Sequence, residues 1–597
     1  MRAPYFRVGR FDGREYETRD IETVKDIIDY TTYTYPDSIM YMYKDVHKEP
    51  FKELTYGDFR ERMDAMGTAL IHMGLKNAKI AIIGNNSWRW ALSYFTTVCG
   101  VGTIVPIDRN LKQEEIINLL NRAEVEMLFV APRQFNDADV LFKEIPTLRY
   151  IALMQDQAYD DPDDRIMTQD EIIDKGRELL MQNDGSYMDA NVRPEDLSTI
   201  IFTSGTTGLA KGVMLSHYNI ASNVQNMSKY FHAAKHARAL SILPMHHTYE
   251  MTCLTMTAIY QVKTVVFCEG LKYLQDNFVE AKCTVMLGVP LIFESIHKKI
   301  FRQAEKSGEA ENLQKGLDFA KKHKLGELPK VSKTLFKSVH KAWGNRLECF
   351  IAGGAAIDPQ VMIDFKAMGL PIIQGYGMTE CAPIIALNPD TCSTDYAAGL
   401  PLPGTELRIG DPDEDGNGEI LVKSPSVMIG YYNDPEATAA AIDEDGWLHT
   451  GDLGYLDNEG WLYITGRKKN VIVTKGGKNI YPEEIEYYLL LEEEISEAMV
   501  YGKDGLAGDD TVVTAIIVPN HKELNNKGFV GDEAIFGRLD EIVENVNLKV
   551  PAYKKIRRVE VRKEEFVKTT TLKIKRAEQA NYQYDYDSKT YNKGHRY

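Results

Sequence analysis

The stretch at 203–211 contains the residue types from which proteins build phosphate sites. It holds four hydroxyl residues, two glycines and one lysine: Thr203, Ser204, Gly205, Thr206, Thr207, Gly208 and Lys211. Glycines let backbone N–H groups approach an anion, hydroxyls add hydrogen-bond donors, and lysine adds a positive charge. The spacing differs from that of a Walker loop, which has four residues between its glycines and Ser or Thr after its lysine. By composition alone, an ordinary turn is as compatible with this stretch as a phosphate loop.

A second motif, at 374–380, carries groups that could bind a nucleotide and a metal ion. Its residues are Gln374, Gly375, Tyr376, Gly377, Met378, Thr379 and Glu380, directly after a predicted buried strand. Tyr376 could stack on a base and Thr379 could donate to a phosphate oxygen. Glu380 could hold Mg²⁺, which prefers carboxylate and phosphate oxygens. A glycine turn with a surface glutamate is the alternative.

Two further positions give weaker signals. In the tripeptide 450–452, the carboxylate of Asp452 could accept both hydroxyls of a ribose, although Gly-Asp turns are common. Lys573 lies in a basic run at 569–576, where most lysines face solvent. Neither position predicts a site by itself.

The elements that must position these motifs alternate between strand and helix. We predict strands at 79–83, near 104, and at 127–130, 150–153 and 197–202, with helices near 59–73 and 88 and at 114–121. The strand at 197–202 directly precedes the glycine loop, and a helix at 218–231 follows the loop. Similar alternation from 239 to 374 predicts a second parallel α/β sheet or a continuation of the first.

The chain is long enough for at least two domains, because 597 residues exceed the size at which one core stops growing. We predict a large α/β domain at 1–466, with a small β-barrel at about 396–465 and a basic helical insertion at about 298–347. A smaller, mobile α+β domain follows at 467–597, with strand 471–474, helix 482–491 and strands at 498–501 and 512–519. Its last residues, 581–597, are polar and aperiodic and predict a loose tail.

The net charge of −17 argues against nucleic acid as a partner. Within this acidic chain, 298–347 holds 13 Lys and Arg against 5 Asp and Glu. A solvated helical face is the default interpretation, and attraction to an anionic membrane surface is the alternative. Seven scattered cysteines, with neither a secretory signal nor an apolar spanning stretch, predict a cytoplasmic protein, with possible peripheral contact at the inner membrane surface.

Taken together and in this order, the motifs resemble those of the adenylate-forming superfamily, which contains acyl-CoA synthetases, peptide-synthetase adenylation domains and luciferases. The resemblance rests on 203–211, 244–247, 353–355, 374–380, 450–452, 466–467, 475–480 and 573–575. Within the superfamily, 243–250, 466–470 and the insertion after 289–295 are similar to bacterial long-chain fatty acyl-CoA synthetases.

The resemblance implies two half-reactions, from fatty acid and ATP to acyl-AMP and pyrophosphate, and from acyl-AMP and coenzyme A to a thioester. It implies that 203–211 wraps the β- and γ-phosphates, that Thr206 and Glu380 hold Mg²⁺, and that Lys573 bridges carboxylate and phosphate oxygens. Adenine would lie against Tyr376, Gly354 and Ala355, and ribose against Asp452 and Arg467. The remaining implied ATP contacts are Gln374, Gly375, Gly377 and Thr379.

For the acyl side, the resemblance implies His247 and Tyr249, although a buried core histidine is an equally good interpretation of His247. It implies a hinge at Lys469, about which the C-terminal domain would rotate between the half-reactions. Rotation would bring the coenzyme A side to the site: Lys475, Gly476 and Gly477.

Two departures from the family pattern stand out. Ala210 replaces the usual proline before the loop lysine, which predicts a more mobile loop, and Thr570 and Leu572 replace the usual Pro and Gly before Lys573. Neither change removes a charged group, so we expect activity. The alternatives are transfer of the acyl group to a carrier protein and a non-catalytic acyl or nucleotide sensor. The sequence leaves the oligomeric state open, and a homodimer is one of the alternatives.

Overall fold

The computed structural model describes residues 13–134, 138–155, 163–203, 210–473, 479–503, 512–568 and 574–576. They form two compact units. The first lies within Met1–Leu407, Val422–Leu448 and Asp457–Leu462, and the second lies within Arg408–Leu421, His449–Leu456 and Tyr463–Tyr597. The domain boundary that we predict between 466 and 467 stays a prediction.

In chain order the strands are β1 (Ile39–Tyr43), β2 (Lys52–Thr55), β3 (Lys79–Ile83), β4 (Thr103–Pro106), β5 (Met127–Val130), β6 (Tyr150–Leu153), β7 (Ile166–Thr168), β8 (Leu197–Thr203), β9 (Lys211–Ser216), β10 (Arg238–Ser241), β11 (Thr264–Phe267), β12 (Val285–Gly288), β13 (Cys349–Ala352), β14 (Ile372–Gly377), β15 (Ile384–Leu387), β16 (Leu400–Pro401), β17 (Glu406–Gly410), β18 (Gly418–Lys423), β19 (Gly430–Tyr431), β20 (Leu448–Leu456), β21 (Leu462–Arg467), β22 (Ile472–Val473), β23 (Asn479–Ile480), β24 (Ile495–Lys503), β25 (Val512–Pro519) and β26 (Arg558–Val561).

The helices are α1 (Val24–Thr34), α2 (Tyr56–His72), α3 (Trp88–Thr96), α4 (Gln113–Arg122), α5 (Ala138–Glu144), α6 (Gln169–Met181), α7 (His217–Tyr230), α8 (Thr248–Glu250), α9 (Thr257–Tyr260), α10 (Leu274–Glu280), α11 (Pro290–Lys306), α12 (Ala310–Lys322), α13 (Pro329–Leu335), α14 (Lys337–Ala342), α15 (Pro359–Ala367), α16 (Pro435–Ala441), α17 (Pro482–Leu490), α18 (His521–Asn526) and α19 (Asp532–Lys549). A π-helical segment, Met251–Met256, joins α8 to α9.

Two large sheets organise the first unit, as the alternating pattern predicts. One has the order β16-β15-β14-β13-β12-β10-β11-β1-β2, and the other has the order β19-β9-β8-β4-β3-β5-β6-β7. The neighbouring strands β10, β12, β13 and β14 run parallel, so their carboxyl ends meet at one edge of the first sheet. Ligands of open α/β sheets bind at such an edge. The segments that follow these strands include 243–250, 353–355 and 376–380.

The chain after the glycine loop differs from the expectation in one respect. The sequence pattern predicts a helix at 218–231 as the next element, whereas the structure places β9 between the loop and α7. Strand β9 pairs antiparallel with β8 over its length, and its buried Val213 and Leu215 alternate with the half-buried Met214. The loop therefore connects the two strands of a hairpin.

The residues of the basic insertion lie on helices α11 to α14, of which α11 begins before residue 298. These helices pack into the core of the first unit through Phe293, Leu317 and Phe336. None of the helices within the described part of the chain is long and apolar enough to cross a membrane.

The second unit has its own apolar core under helices α17 and α19, with β24, β25 and β26 forming a three-stranded sheet. Within the residues for which we predict a small β-barrel, four strands form a sheet in the order β17-β18-β20-β21. Of the strand expected at 471–474, β22 covers Ile472–Val473, and residue 474 lies outside the described residues.

Candidate active site

The glycine loop is held at both ends by the hairpin of β8 and β9. Thr203 is the register partner of Lys211, so the two residues that flank the loop lie side by side across the strand pair. The loop residues Ser204, Gly205, Thr206, Thr207 and Gly208 lie outside the described residues. The described geometry therefore fixes where the loop begins and ends.

Lys211 and Glu380 both contact one tyrosine, Tyr431. The Nζ atom of Lys211 lies 4.7 Å from the centroid of the Tyr431 ring, and the Tyr431 hydroxyl donates to Oε1 of Glu380 at 2.9 Å. Burial, followed by the nearby Glu380 carboxylate, raises the pKa of Tyr431, so its hydroxyl remains a proton donor. Sequence patterns alone do not point to Tyr431, which lies 51 residues from Glu380.

The motif at 374–380 is shaped by close backbone packing. A Cβ at Gly377 would lie 2.0 Å from the carbonyl oxygen of Pro383, so only glycine fits there. The side chain of Gln374 is buried and donates to the carbonyl of Ala397 at 2.8 Å. The following residues, 375–380, are half-buried at the end of β14, which leaves Tyr376, Thr379 and Glu380 accessible to a ligand.

Tyr249 lies against the segment 353–355, where the family resemblance predicts that adenine binds. Its hydroxyl is 3.3 Å from the carbonyl oxygen of Ile351, and a Cβ at Gly353 would lie 2.5 Å from that hydroxyl. Gly354 has a φ of +83°, which favours glycine, and Gly354 and Ala355 are exposed. One predicted acyl-side residue thus contacts the predicted adenine-side loop.

The two histidines at 246–247 lie beside a small cavity. Their ring centroids are 4.1 Å apart, and the cavity, lined also by Tyr94, Ile201 and Met251, measures about 10 Å³. That is room for about one water molecule, so an acyl chain could enter only if these side chains moved. Burial and the neighbouring His247 hold the pKa of His246 well below its usual value, so His246 is neutral.

Glu250 is a buried acid that the sequence patterns do not identify as a candidate site residue. It is fully buried, and its Oε2 accepts from the backbone N–H of Leu243 at 3.3 Å. Burial raises the pKa of Glu250 to about 8. The carboxyl group is therefore protonated at neutral pH, beside the residues predicted to meet the acyl group.

In the second unit, Asp452 and Arg467 form an ion pair. Nε of Arg467 lies 2.6 Å from Oδ1 of Asp452, whose side chain is buried. The Thr450 hydroxyl donates to the carbonyl of Ile420 at 2.8 Å and accepts from the Asp452 N–H at 3.1 Å, which fixes the turn. Both residues predicted to bind ribose are thus held together on β20 and β21.

The predicted hinge residue Lys469 lies in the same unit. Burial, followed by the positive charge of Arg467, lowers the pKa of Lys469. The neighbouring Lys468 forms an ion pair with Glu419 at 2.8 Å, and Asn470 donates to Glu483 at 2.6 Å. The residues on both sides of Lys469 are therefore anchored within the second unit.

Lys573 and the predicted coenzyme A side, Lys475, Gly476 and Gly477, lie outside the described residues. The chain around Lys573 is nevertheless fixed on both sides. Lys568 and Ile574 form an antiparallel bridge, and Arg576 donates to the carbonyl of Val500 at 3.0 Å and to the half-buried carboxylate of Glu486.

Glu380 fits the role of a magnesium ligand. Among the residues that the structure describes, no group of three or more His, Cys, Asp and Glu side chains is arranged to hold a metal ion. Mg²⁺ bound with a nucleotide takes one or two carboxylates from the protein and the rest of its ligands from phosphates and water. The single half-buried carboxylate of Glu380, whose partner Tyr431 also contacts Lys211, matches that donor set.

Comparisons with known proteins cover most of the chain. The model of the AMP-binding enzyme family matches residues 29–432, and that of the AMP-binding enzyme C-terminal domain matches residues 469–591. Human long-chain-fatty-acid–CoA ligase 1 is 30% identical over 547 residues, which cover 84% of this chain and 74% of that protein.

One further relative is similar in sequence, and one solved structure is similar in fold. A chloroplastic long-chain-fatty-acid–[acyl-carrier-protein] ligase, AEE15 of Arabidopsis thaliana, is 27% identical over 594 residues, covering 87% of this chain and 80% of that protein. The crystal structure of the anthranilate CoA ligase AuaEII with anthranoyl-AMP has a TM-score of 0.73 at 18% identity, covering 94% of this chain and 96% of the other. That likeness shows the fold.

Proposed function

The chain belongs to the AMP-binding enzyme family, and from that premise we propose that it is a long-chain fatty acid:CoA ligase that forms AMP. The observation that carries the proposal is the arrangement around the glycine loop, where the lysine at the loop exit and the Glu380 carboxylate contact the same tyrosine. The identity to a human long-chain ligase supports the choice of acyl substrate and acceptor.

In the first half-reaction, a carboxylate oxygen of the fatty acid attacks the α-phosphorus of ATP. A C–O–P linkage forms, the bond to the β-phosphate bridging oxygen breaks, and pyrophosphate leaves. Both reactants are anionic, so catalysis depends on positioning and fixed positive charge. Lys211 supplies such charge at the loop exit, and we assign Lys573 to the reacting oxygens.

In the second half-reaction, the sulfur of coenzyme A attacks the acyl carbon and the thiol proton is lost. The acyl C–O bond breaks and AMP leaves. By the proposed mechanism, Lys573 withdraws and 475–477 approaches when the C-terminal domain predicted at 467–597 turns about Lys469. Mg²⁺, held by Glu380 and Thr206, would neutralise charge on the phosphate oxygens.

The molecule that accepts the acyl group, coenzyme A or a carrier protein, distinguishes this proposal from its rival. Because one relative is named an acyl-carrier-protein ligase, transfer to the phosphopantetheine of a carrier protein is the second candidate. Purified protein should be given ATP, Mg²⁺ and short, medium, long or aromatic acids, with either coenzyme A or holo-carrier protein. We expect long-chain acyl-CoA. A thioester with carrier protein alone would favour the rival, and no acyl-AMP or thioester with any acid would favour a sensor.

We also propose that the enzyme is cytoplasmic and contacts the inner membrane surface through its basic insertion. The seven cysteines form no disulfide, which fits a reducing compartment. On α13 and its N-cap, the side chains of Leu328, Val331 and Leu335 share one helical face and are 46 to 52% exposed. The exposed Lys330 and Lys333 lie between them. An exposed apolar stripe with interleaved lysines suits an anionic lipid surface.

Flotation with vesicles tests the membrane proposal. The wild-type protein should float with vesicles containing phosphatidylglycerol, and added salt should weaken binding because it screens the lysines. Replacing Leu328, Val331 and Leu335 by serine should abolish flotation. The control Leu548→Ser removes an 81% exposed leucine of the second unit and should change nothing. Binding that is absent, or unaffected by either salt or the triple replacement, would contradict the proposal.

A further inference from the structure

The short strand β19 is held between the two motifs of the candidate site by backbone hydrogen bonds. Tyr431 is the register partner of Val213 on β9, and the next residue, Tyr432, donates its N–H to the carbonyl of Gly212 at 2.7 Å. On the other side, the N–H of Met428 donates to the carbonyl of Glu380 at 2.9 Å. The backbone therefore places Tyr431 next to both motifs, whether or not its hydroxyl is present.

A glycine and a threonine of helix α16 support this position. Gly430 has a φ of +153°, and a Cβ there would lie 2.8 Å from Cγ2 of Thr438. The hydroxyl of Thr438 accepts from the N–H of Tyr431 at 2.9 Å, which ties β19 to the first turns of α16. The Tyr431 side chain is 9% exposed. A buried ring on a strand fixed at both ends has one orientation available to it.

The side chain of Tyr431 uses two different surfaces for its two contacts. Its hydroxyl donates to one oxygen of Glu380, and its ring face lies under the ammonium group of Lys211. The hydrogen bond commits Oε1 and restricts rotation of the carboxylate, so that Oε2 remains available for a cation. The contact between ammonium and ring is weak, so Lys211 can leave it for a phosphate oxygen.

From this geometry we propose that Tyr431 is a positioning residue for the magnesium–nucleotide complex. Its hydroxyl orients Glu380 toward the cation, and its ring holds the Lys211 ammonium at the loop exit instead of in a direct pair with Glu380. A direct pair would neutralise both groups before the nucleotide arrives. The inference rests on the proposed function, since it takes Glu380 as the magnesium ligand.

Three variants separate the two contacts. Tyr431→Phe keeps the ring and removes the hydrogen bond to Glu380. Tyr431→Leu removes both contacts. Tyr432→Phe is the matched control, because the Tyr432 hydroxyl also donates to a carboxylate, that of Glu124 at 2.8 Å, on an adjacent residue of the same chain segment. Circular dichroism and thermal unfolding confirm that each variant is folded.

ATP binding is measured by calorimetry without fatty acid, in excess Mg²⁺ and in EDTA. Tyr431→Phe should weaken binding about tenfold in Mg²⁺, the loss expected for one hydrogen bond to a charged group, and leave it within about twofold in EDTA. Tyr431→Leu should weaken binding in both conditions, because Lys211 also loses its ring. Tyr432→Phe should match the wild type in both.

Two results would overturn the inference. If Tyr431→Phe retains the full gain in affinity that Mg²⁺ gives the wild type, the hydroxyl does not position Glu380. If its binding falls equally in Mg²⁺ and in EDTA, the tyrosine acts on the fold of the site and not on the cation. A different result, in which the wild type itself gains no affinity from Mg²⁺, would instead contradict the proposed role of Glu380.

Discussion

Glu250 should make the stability of the first unit depend on pH. Its carboxyl group is fully buried, and burial raises its pKa from 4.5 to about 8. Between these values the folded state holds a proton that the unfolded state has released, so stability falls as pH rises. Each pH unit within this window costs about 1.4 kcal/mol, and the whole window amounts to roughly 5 kcal/mol at most.

The perturbation is Glu250→Gln, which is similar in shape, does not titrate and can still accept from the N–H of Leu243. Urea unfolding is followed by tryptophan fluorescence, because all five tryptophans lie within the bounds of the first unit: Trp88, Trp90, Trp343, Trp447 and Trp461. Between about pH 5 and about pH 7.5, the free energy of unfolding of the wild type should fall by about 1.4 kcal/mol per pH unit relative to the variant.

A second buried acid provides a control with a different window. Burial raises the pKa of Asp390 to about 7, and its oxygens accept from the Tyr16 hydroxyl at 3.0 Å and from the N–H of His232 at 3.1 Å. The free energy of unfolding should therefore also fall with rising pH because of Asp390, up to about pH 7, and Asp390→Asn should remove this fall. If the wild type and Glu250→Gln keep a constant difference in stability across the range, Glu250 is already ionised in the folded protein and the reasoning is refuted.

Three further predictions concern the site. Lys573→Ala should nearly abolish formation of acyl-AMP from acid and ATP while sparing thioester formation from supplied acyl-AMP, and equal loss in both assays would contradict its role. Gly377→Ala should destabilise the first unit by about 2 kcal/mol or more and weaken ATP binding, because its Cβ would lie 2.0 Å from the Pro383 oxygen. Unchanged urea unfolding and ATP affinity would show that the strand adapts. Arg467→Ala should raise the KM for ATP more than it lowers kcat, because it removes the positive charge paired with Asp452, and steady-state kinetics with an unchanged KM would contradict this.

Much of the parallel framework could be predicted from short apolar runs. Strands β3, β5 and β6 have the bounds expected from the sequence. Each is a continuous run of β-branched and other apolar residues, which identifies a strand buried on both faces. The start of α2 is also visible in the sequence, because Thr55 and Asp58 form a capping box whose two hydrogen bonds are both local.

Strand β9 and strand β19 could not be found in this way. Strand β19 has two residues, and its partner on β9 lies more than 200 residues away, so no local periodicity predicts it. The contact of Tyr431 with Glu380 depends on that pairing. The protonation of Glu250 also depends on burial by distant elements, since an isolated glutamate in a sequence is expected to be charged.

The contact between Tyr249 and Gly353 bears on how the two substrates meet. In the proposed first half-reaction the fatty acid carboxylate must reach the α-phosphate, so residues lining the acyl side have to border those lining the nucleotide side. Tyr249 satisfies this requirement, because a Cβ at Gly353 would lie 2.5 Å from its hydroxyl. Only a hydrogen atom fits between the loop and the ring, and any larger residue at 353 must push them apart. The size of this glycine therefore sets the distance between the predicted acyl and adenine sides of the site.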